Sequence, residues 1–325
     1  MKLDKLLQIA EDKTRFATVE DYADYCRRYL EFIYDGLQAV IVSQNENKYR
    51  FFQYKEDGMF AVTRPINSEL MLSAEEFDEA WDCFRKAVPN MRDIKNDMAA
   101  RKAVNKVVYT CQQSIGATLD ALPAGESNRA RKLNGDLFER FIRRIIADMG
   151  IDVQEGTVKV PVMVDGQKQF EMAYQHDLIL RNGAEVTAIG SVKTSSKDRL
   201  DKIFIDKFLY NKLTSMETPH FAVFLNDVQR KGKEPYYGVN STFLTGHYKG
   251  YTVKLNPLDG VYYCDMRPVM YTDELLKQTI HTLDYLLVED IWKANGAKPG
   301  MVLYEVYTTV NITPREGLEE QLKKK

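Results

Sequence analysis

Apolar and polar residues alternate with a period that changes along the chain, and the changes mark out its elements. Residues 18–36, "TVEDYADYCRRYLEFIYDG", read as a helix. Thr18 is placed to cap it with Asp21 three residues on, and Gly36 to stop it. Short strands are predicted at "LQAVIVSQ", "KYRFFQY" and "MFAVTR", with turn chemistry at Asn45-Glu46-Asn47 and Asp57-Gly58. A second capped helix is predicted over 73–88, followed by Pro89-Asn90. Residues 1–90 are thus expected to form an α+β module. Residues 91–122 are helical in composition, "LPAGESNRAR" breaks the pattern, and a long helix is expected over 127–149, ending at Gly150.

Past Gly150 the period becomes two. "TVKVPVMVDGQKQFEMAY" alternates, and Asp165-Gly166 is a strong hairpin turn. "DLIL" and "AEVTAIGSVK" are strands joined by "RNG", "SKDRLDKIFIDKFLYNKL" is a helix, and "HFAVFLND" is an apolar strand. A basic, aromatic and glycine-rich stretch follows over about 228–270. A late helix is expected over 272–294, and "MVLYEVYTTVNI" as a last strand.

Composition narrows the function only a little. At 44% hydrophobic and 28% charged, with a net charge of −2, the chain is an ordinary globular protein. No apolar run approaches the ~20 residues of a membrane helix, and the start lacks an apolar signal core, so a cytoplasmic protein is expected. Cys26, Cys83, Cys111 and Cys264 form no C-x-x-C pair, so free thiols are expected rather than a zinc site. The charge is uneven: residues 1–91 carry 12 Lys/Arg against 17 Asp/Glu, residues 92–149 carry 11 against 7. A locally basic surface fits phosphate binding and fits a solvated helix equally well.

The chemistry lies in two strands. Asp177 opens one and Lys193 closes the other, so a hairpin between them makes the two residues neighbours at one sheet edge. Phosphodiester hydrolysis needs a metal on the phosphate, an activated water and relief of growing negative charge. A carboxylate supplies oxygen ligands for Mg²⁺, and a lysine a compact cation. A second carboxylate is missing where it would be expected, because Ser191 stands two residues before Lys193.

"HDLILRNGAEVTAIGSVK" followed by "TSSKDR" resembles the PD-(D/E)xK nuclease superfamily, and within it the type II restriction endonucleases, in a variant with Ser-x-Lys. The resemblance covers about residues 127–227. It implies an α/β (α+β) fold, a restriction-endonuclease-like core with a mixed central sheet flanked by helices. It assigns residues 91–325 to the nuclease and about 228–270 to DNA recognition, and leaves the module at 1–90 to dimerisation or DNA clamping. By the same resemblance Asp177 holds Mg²⁺, Lys193 serves the attacking water, and Val192 between them also contributes to the metal. The acid absent at Ser191 would come from a neighbouring helix.

Two acids are candidates. Asp206 shares a helical stripe with Ile203, Leu209 and Leu213, where an acid is costly unless paired or on a metal. Its alternative is an ion pair with Lys202 or Lys207. Glu139 lies in "NGDLFERFIRRIIADMG", similar to the superfamily's G-x-x-x-E helix, with Gly135 allowing close approach; its alternative is a surface pair with Arg143. Asp198 and Asp201 read as first-turn acids, Glu185 lies too far along its strand, and His176 reads as structural. Lys197, Arg199, Arg230, Lys231 and Lys233 are the candidate DNA contacts. Expected partners are double-stranded DNA, a second copy of the chain, and a companion methyltransferase in the same system. A DNA-binding protein that does not cut, and a repair or recombination nuclease that reads DNA structure, are the alternatives.

Overall fold

The computed structural model describes residues 2–55, 62–197, 199–233 and 236–296. The expected Asp57-Gly58 turn, the start of "MFAVTR", Asp198 and the "MVLYEVYTTVNI" strand lie outside them. Helix α1 (Leu3–Glu11) leads into α2 (Val19–Gly36), whose first turn carries the expected capping box. The Thr18 hydroxyl accepts from the Asp21 amide, and the Asp21 carboxylate accepts from the Thr18 amide. Strands β1 (Leu37–Val42), β2 (Tyr49–Tyr54) and β3 (Ile66–Asn67) form a small antiparallel sheet. The expected strand at "MFAVTR" is not one over its described residues. The Thr63 hydroxyl takes the Phe52 amide, Arg64 turns to Asp120, and Pro65 has no N–H to pair, which displaces β3 to Ile66.

Helix α3 (Ala74–Ala87) has a second capping box, Ser73 with Glu76. Helix α4 (Met98–Leu119) is buried on nearly every side along its second half. Polar groups there pair in part: Gln112 donates to the Asn134 carbonyl and side chain, and Ser114 to the Thr110 carbonyl, while the Gln112 and Gln113 side-chain oxygens find no hydrogen-bond partner among the described residues. Helix α5 (Ser127–Asp148) follows. A cluster of buried apolar side chains runs from Leu3 to Ala294 and draws on α1 to α5 and on the central sheet, crossing residue 90 without a break.

The second half supplies β4 (Val153–Val164), β5 (Gln167–Asn182), β6 (Glu185–Ser195), α6 (Leu200–Thr214) and β7 (His220–Asn226). It continues with β8 (Val228–Lys233), β9 (Tyr236–Ser241), α7 (Thr245–Lys254), β10 (Gly260–Tyr263) and β11 (Ile280–Thr282). The central sheet has the order β11-β10-β7-β6-β5-β4. Strands β4, β5 and β6 are antiparallel neighbours, and β6, β7, β10 and β11 are parallel. The mixed α/β sheet with helices on its faces is the expected fold class. One face packs on α4 and α5, the other on α6 and α7. Strands β8 and β9 form a separate two-stranded ribbon.

Asp165 and Gly166 both take positive φ, as a tight two-residue hairpin requires. The late helix over 272–294 is corrected: it is broken by β11, whose Ile280-His281-Thr282 pairs in parallel with β10 and extends the sheet. Partners in the sheet outweigh helical propensity at this β-branched run. The four cysteines are free. Among the described residues no helix is long and apolar enough to cross a membrane.

Candidate active site

Strands β5 and β6 are paired from Leu178↔Gly190 to Asn182↔Glu185 and part beyond that point. Gly190 marks the end of the ladder, where a Cβ would meet the Phe221 ring at 2.5 Å. Asp177 and Lys193 lie in the fork. On the other side of β5 the register with β4 shifts, from Gln154↔Ile179 to Gly156↔His176, so β5 carries one extra residue at Asp177–Leu178. Such a bulge re-aims a side chain. It leaves His176 against Tyr174, Tyr210 and His220, and sends Asp177 towards α5. His176 is buried and held below its ordinary pKa by that burial, which agrees with a structural histidine.

In the fork the Lys193 ammonium donates to Asp177 Oδ2 at 2.6 Å and to Glu139 Oε1 of α5 at 2.7 Å. Asp177 Oδ2 also accepts the Val192 amide at 2.8 Å, an amide with no β5 partner in the ladder. Burial alone would lower the Lys193 pKa, but Asp177 and Glu139 more than offset it and hold the ammonium above its ordinary value. Burial, and then the Asp177 charge, raise the Glu139 carboxyl, with Lys193 opposing. Two acids held together against burial and mutual repulsion are what a cation site requires.

The structure thus brings together Asp177, Glu139 and Lys193, which lie 16 and 54 residues apart in the chain. It places Asp206 elsewhere. Asp206 forms an ion pair with Lys202 on its own helix, the alternative recognised from the sequence, and its electrostatic neighbours are His176 and Tyr174. Lys207 is buried on Asp259. Ser191 is half-buried and aligned with Ala222 of β7. The Val192 side chain is in the apolar core, so only its backbone can serve a metal. Arg143 pairs with Glu155 and leaves Glu139 to Lys193. Gly135 faces open space, so no close approach explains it.

The donor set suits Mg²⁺, which takes one or two carboxylates and keeps several waters. Asp177 and Glu139 offer hard oxygens at 15% and 23% side-chain exposure, within reach of solvent and substrate. Among the described residues no group of three or more metal-ligating side chains occurs.

The basic candidates divide. Lys197 donates to Gln229, Arg199 precedes α6, and Lys231 and Lys233 are exposed on the β8–β9 ribbon. Arg230 donates to the Val62 carbonyl, in the segment before β3, and lies over the Tyr237 ring of its own ribbon. Four of the cations over 92–149 form ion pairs: Lys95 with Glu289, Arg101 with Asp284, Arg129 with Glu11 and Glu126, and Arg143 with Glu155.

Sequence reasoning missed a buried network at the ends of β7 and β10. Asp227 clamps both feet of the ribbon: its carboxylate takes the Ser241 hydroxyl and its carbonyl takes the Thr242 amide and hydroxyl. Arg267 lies 3.8 Å from Asp227 and binds Glu46 and Tyr49; Asp265 accepts from Tyr49 and Asn67. Burial pushes Asp227 up to about 7, with Arg267 and Ser241 opposing, and its Oδ1 has no hydrogen-bond partner among the described residues. An acid raised in the folded state contributes stability that is present at low pH and lost as pH rises through the folded pKa. Asp227→Asn should therefore melt above the native protein. The gap should open between about pH 4 and 7, reach on the order of 2 kcal/mol, and stay level above. Thermal melts across that range check it.

No protein-family model and no curated protein sequence matches the chain. Its structure is similar to that of Kpn2I, a type IIP restriction endonuclease. The TM-score is 0.66 at 16% identity, over 90% of this chain and 97% of that one. A weaker likeness, to restriction endonuclease PspGI in complex with substrate DNA, has a TM-score of 0.38 at 13% identity, over 61% and 79% of the chains. With its central mixed sheet, its flanking helices and this overlap over nearly the whole length, the chain has a restriction-endonuclease-like fold.

Proposed function

We propose that the protein is a Mg²⁺-dependent type II restriction endonuclease that cuts double-stranded DNA at a specific sequence. The observation that carries the reading is the convergence of Asp177, Glu139 and Lys193 in the β5–β6 fork of this fold. Asp177 and Glu139 would hold Mg²⁺, with the Val192 backbone beside them. Bound Mg²⁺ supplies a Lewis acid for the scissile phosphate and lowers the pKa of water. Lys193, kept protonated by two acids, acts as a cation that orients the attacking water and offsets charge gathering on the phosphate. Lys197 and Arg199, just past the fork, would hold backbone phosphates.

Reading a two-fold symmetric site calls for two copies of the chain, and protection of host DNA calls for a companion methyltransferase. Digestion of a plasmid with Mg²⁺, followed by sequencing of the ends, tests the proposal. Fragments with one end sequence are expected; intact DNA on diverse substrates, bound but uncut, would favour the non-catalytic alternative. Ser191 carries no acid and accordingly Ser191→Ala should cut within about threefold of the native rate. A loss as deep as that of an active-site acid in the same digest would give Ser191 a direct role.

A further inference from the structure

The β8–β9 ribbon has two unlike faces. In its register Gln229 is opposite Asn240, Arg230 opposite Val239, Lys231 opposite Gly238, and Lys233 opposite Tyr236. Strand alternation puts Val228, Arg230, Tyr237 and Val239 on one face. The apolar members of that face are buried against Tyr49, Phe51 and Val62 of the N-terminal half. The other face carries the exposed Lys231, Lys233 and 66%-exposed Tyr236, with the half-buried Gln229 and Asn240 beside them. Among the described residues no acid pairs with Lys231 or Lys233.

We propose that this solvent face is the base-reading surface, entering the major groove with Gln229, Lys231, Lys233 and Asn240 as the specificity-determining residues. The inference rests on the endonuclease reading and names the part of the protein that selects the sequence. A two-stranded ribbon fits the major groove, side-chain amides pair in bidentate fashion with adenine, and ammonium groups reach guanine O6 and N7. The ribbon's chemistry is amide and ammonium on one side only, and that side is the one left open.

Placement supports the same use. Lys193 is two residues before Ser195, roughly 7 Å of strand. The Ser195 and Ser196 hydroxyls lie 3.4 and 3.3 Å from that of Thr242, and Lys197 donates to Gln229 at 3.0 Å. The ribbon's feet therefore adjoin the fork. Base edges it reads lie within a few base pairs of a phosphate held at Lys193. The Asp227 clamp and the packed face keep the ribbon fixed relative to the cutting residues, as register between reading and cutting demands.

The test uses the full-length protein and a randomised duplex library, with Ca²⁺ in place of Mg²⁺ so that bound DNA is recovered uncut. Gln229→Ala, Asn240→Ala and the pair Lys231→Ala with Lys233→Ala are compared with the native chain, after melts show each folded. Native protein should select one sequence. Each variant should lose preference at defined positions by about 5- to 150-fold while others stay selected. Unchanged selection by all three variants, or no selected sequence with native protein, would overturn the ribbon as reader. Cleavage with Mg²⁺ is scored separately: native protein that selects but never cuts refutes the endonuclease and leaves the reader intact.

Discussion

Lys193→Ala is expected to lower DNA cleavage by about 10³-fold or more and to change stability in a way that depends on metal. The ammonium is the group that bridges Asp177 and Glu139, whose side chains are largely buried. Removing it leaves two carboxylates facing each other in a site of low polarity. The cost without divalent cation at neutral pH should be on the order of 3 kcal/mol, as for a buried pair stripped of one partner. Added Mg²⁺ should recover most of it, because a cation again sits between the acids. Lower pH should also recover it, since burial favours the protonated form of Glu139. Melts of native and variant protein with and without Mg²⁺, at pH 5 and 8, read all three effects. A variant equally stable everywhere would mean that the two acids do not face each other.

Asp177→Ala and Glu139→Ala should each abolish cleavage to a similar depth, about 10³-fold. Each should also weaken Mg²⁺ binding measured by calorimetry. Asp206→Ala should keep measurable cleavage, because Asp206 is paired with Lys202 on the helix across the sheet. The acid raised at Glu139 gives this a pH dependence. Metal binding requires the ionised carboxylate, so Mg²⁺ affinity should fall as pH drops through a value above that of an ordinary glutamate. If Glu139→Ala cuts at the native rate and Asp206→Ala does not, the second carboxylate comes from α6 after all.

Much of this was legible in the residues. Period two after Gly150, the Asp165-Gly166 turn and two helix capping boxes are local signals, and each marks its element. Asp177 and Lys193 could be paired because one short turn joins their strands. Glu139 was a candidate on its helix, but its approach to Lys193 depends on how α5 docks on the sheet. No spacing encodes that docking. The bulge at Asp177 was invisible for a related reason: it is a register shift against β4, set by two strands at once. Asp206 shows the limit of stripe arguments. An acid at the margin of an apolar stripe finds Lys202 one turn away as readily as a metal. Strands β10 and β11 were missed because four and three residues are too short to show a period. The network around Asp227 joins residues from 46 to 267 and has no local sign at all.

Helix α4 ties the halves of the chain together in a way that bears on how the protein comes apart. Its second half is enclosed on all sides; the Tyr109 hydroxyl accepts from the Asn67 amide, and Asn105 donates to the Cys264 carbonyl. A helix so enclosed cannot be unwrapped from one half while the other stays shut. Helices α1 to α3 and the central sheet should therefore lose their structure in the same transition, with tryptophan fluorescence and far-UV circular dichroism giving one midpoint. The two tryptophans, Trp81 in α3 and Trp292 near the far end, are fluorescent reporters built into opposite ends of that one event.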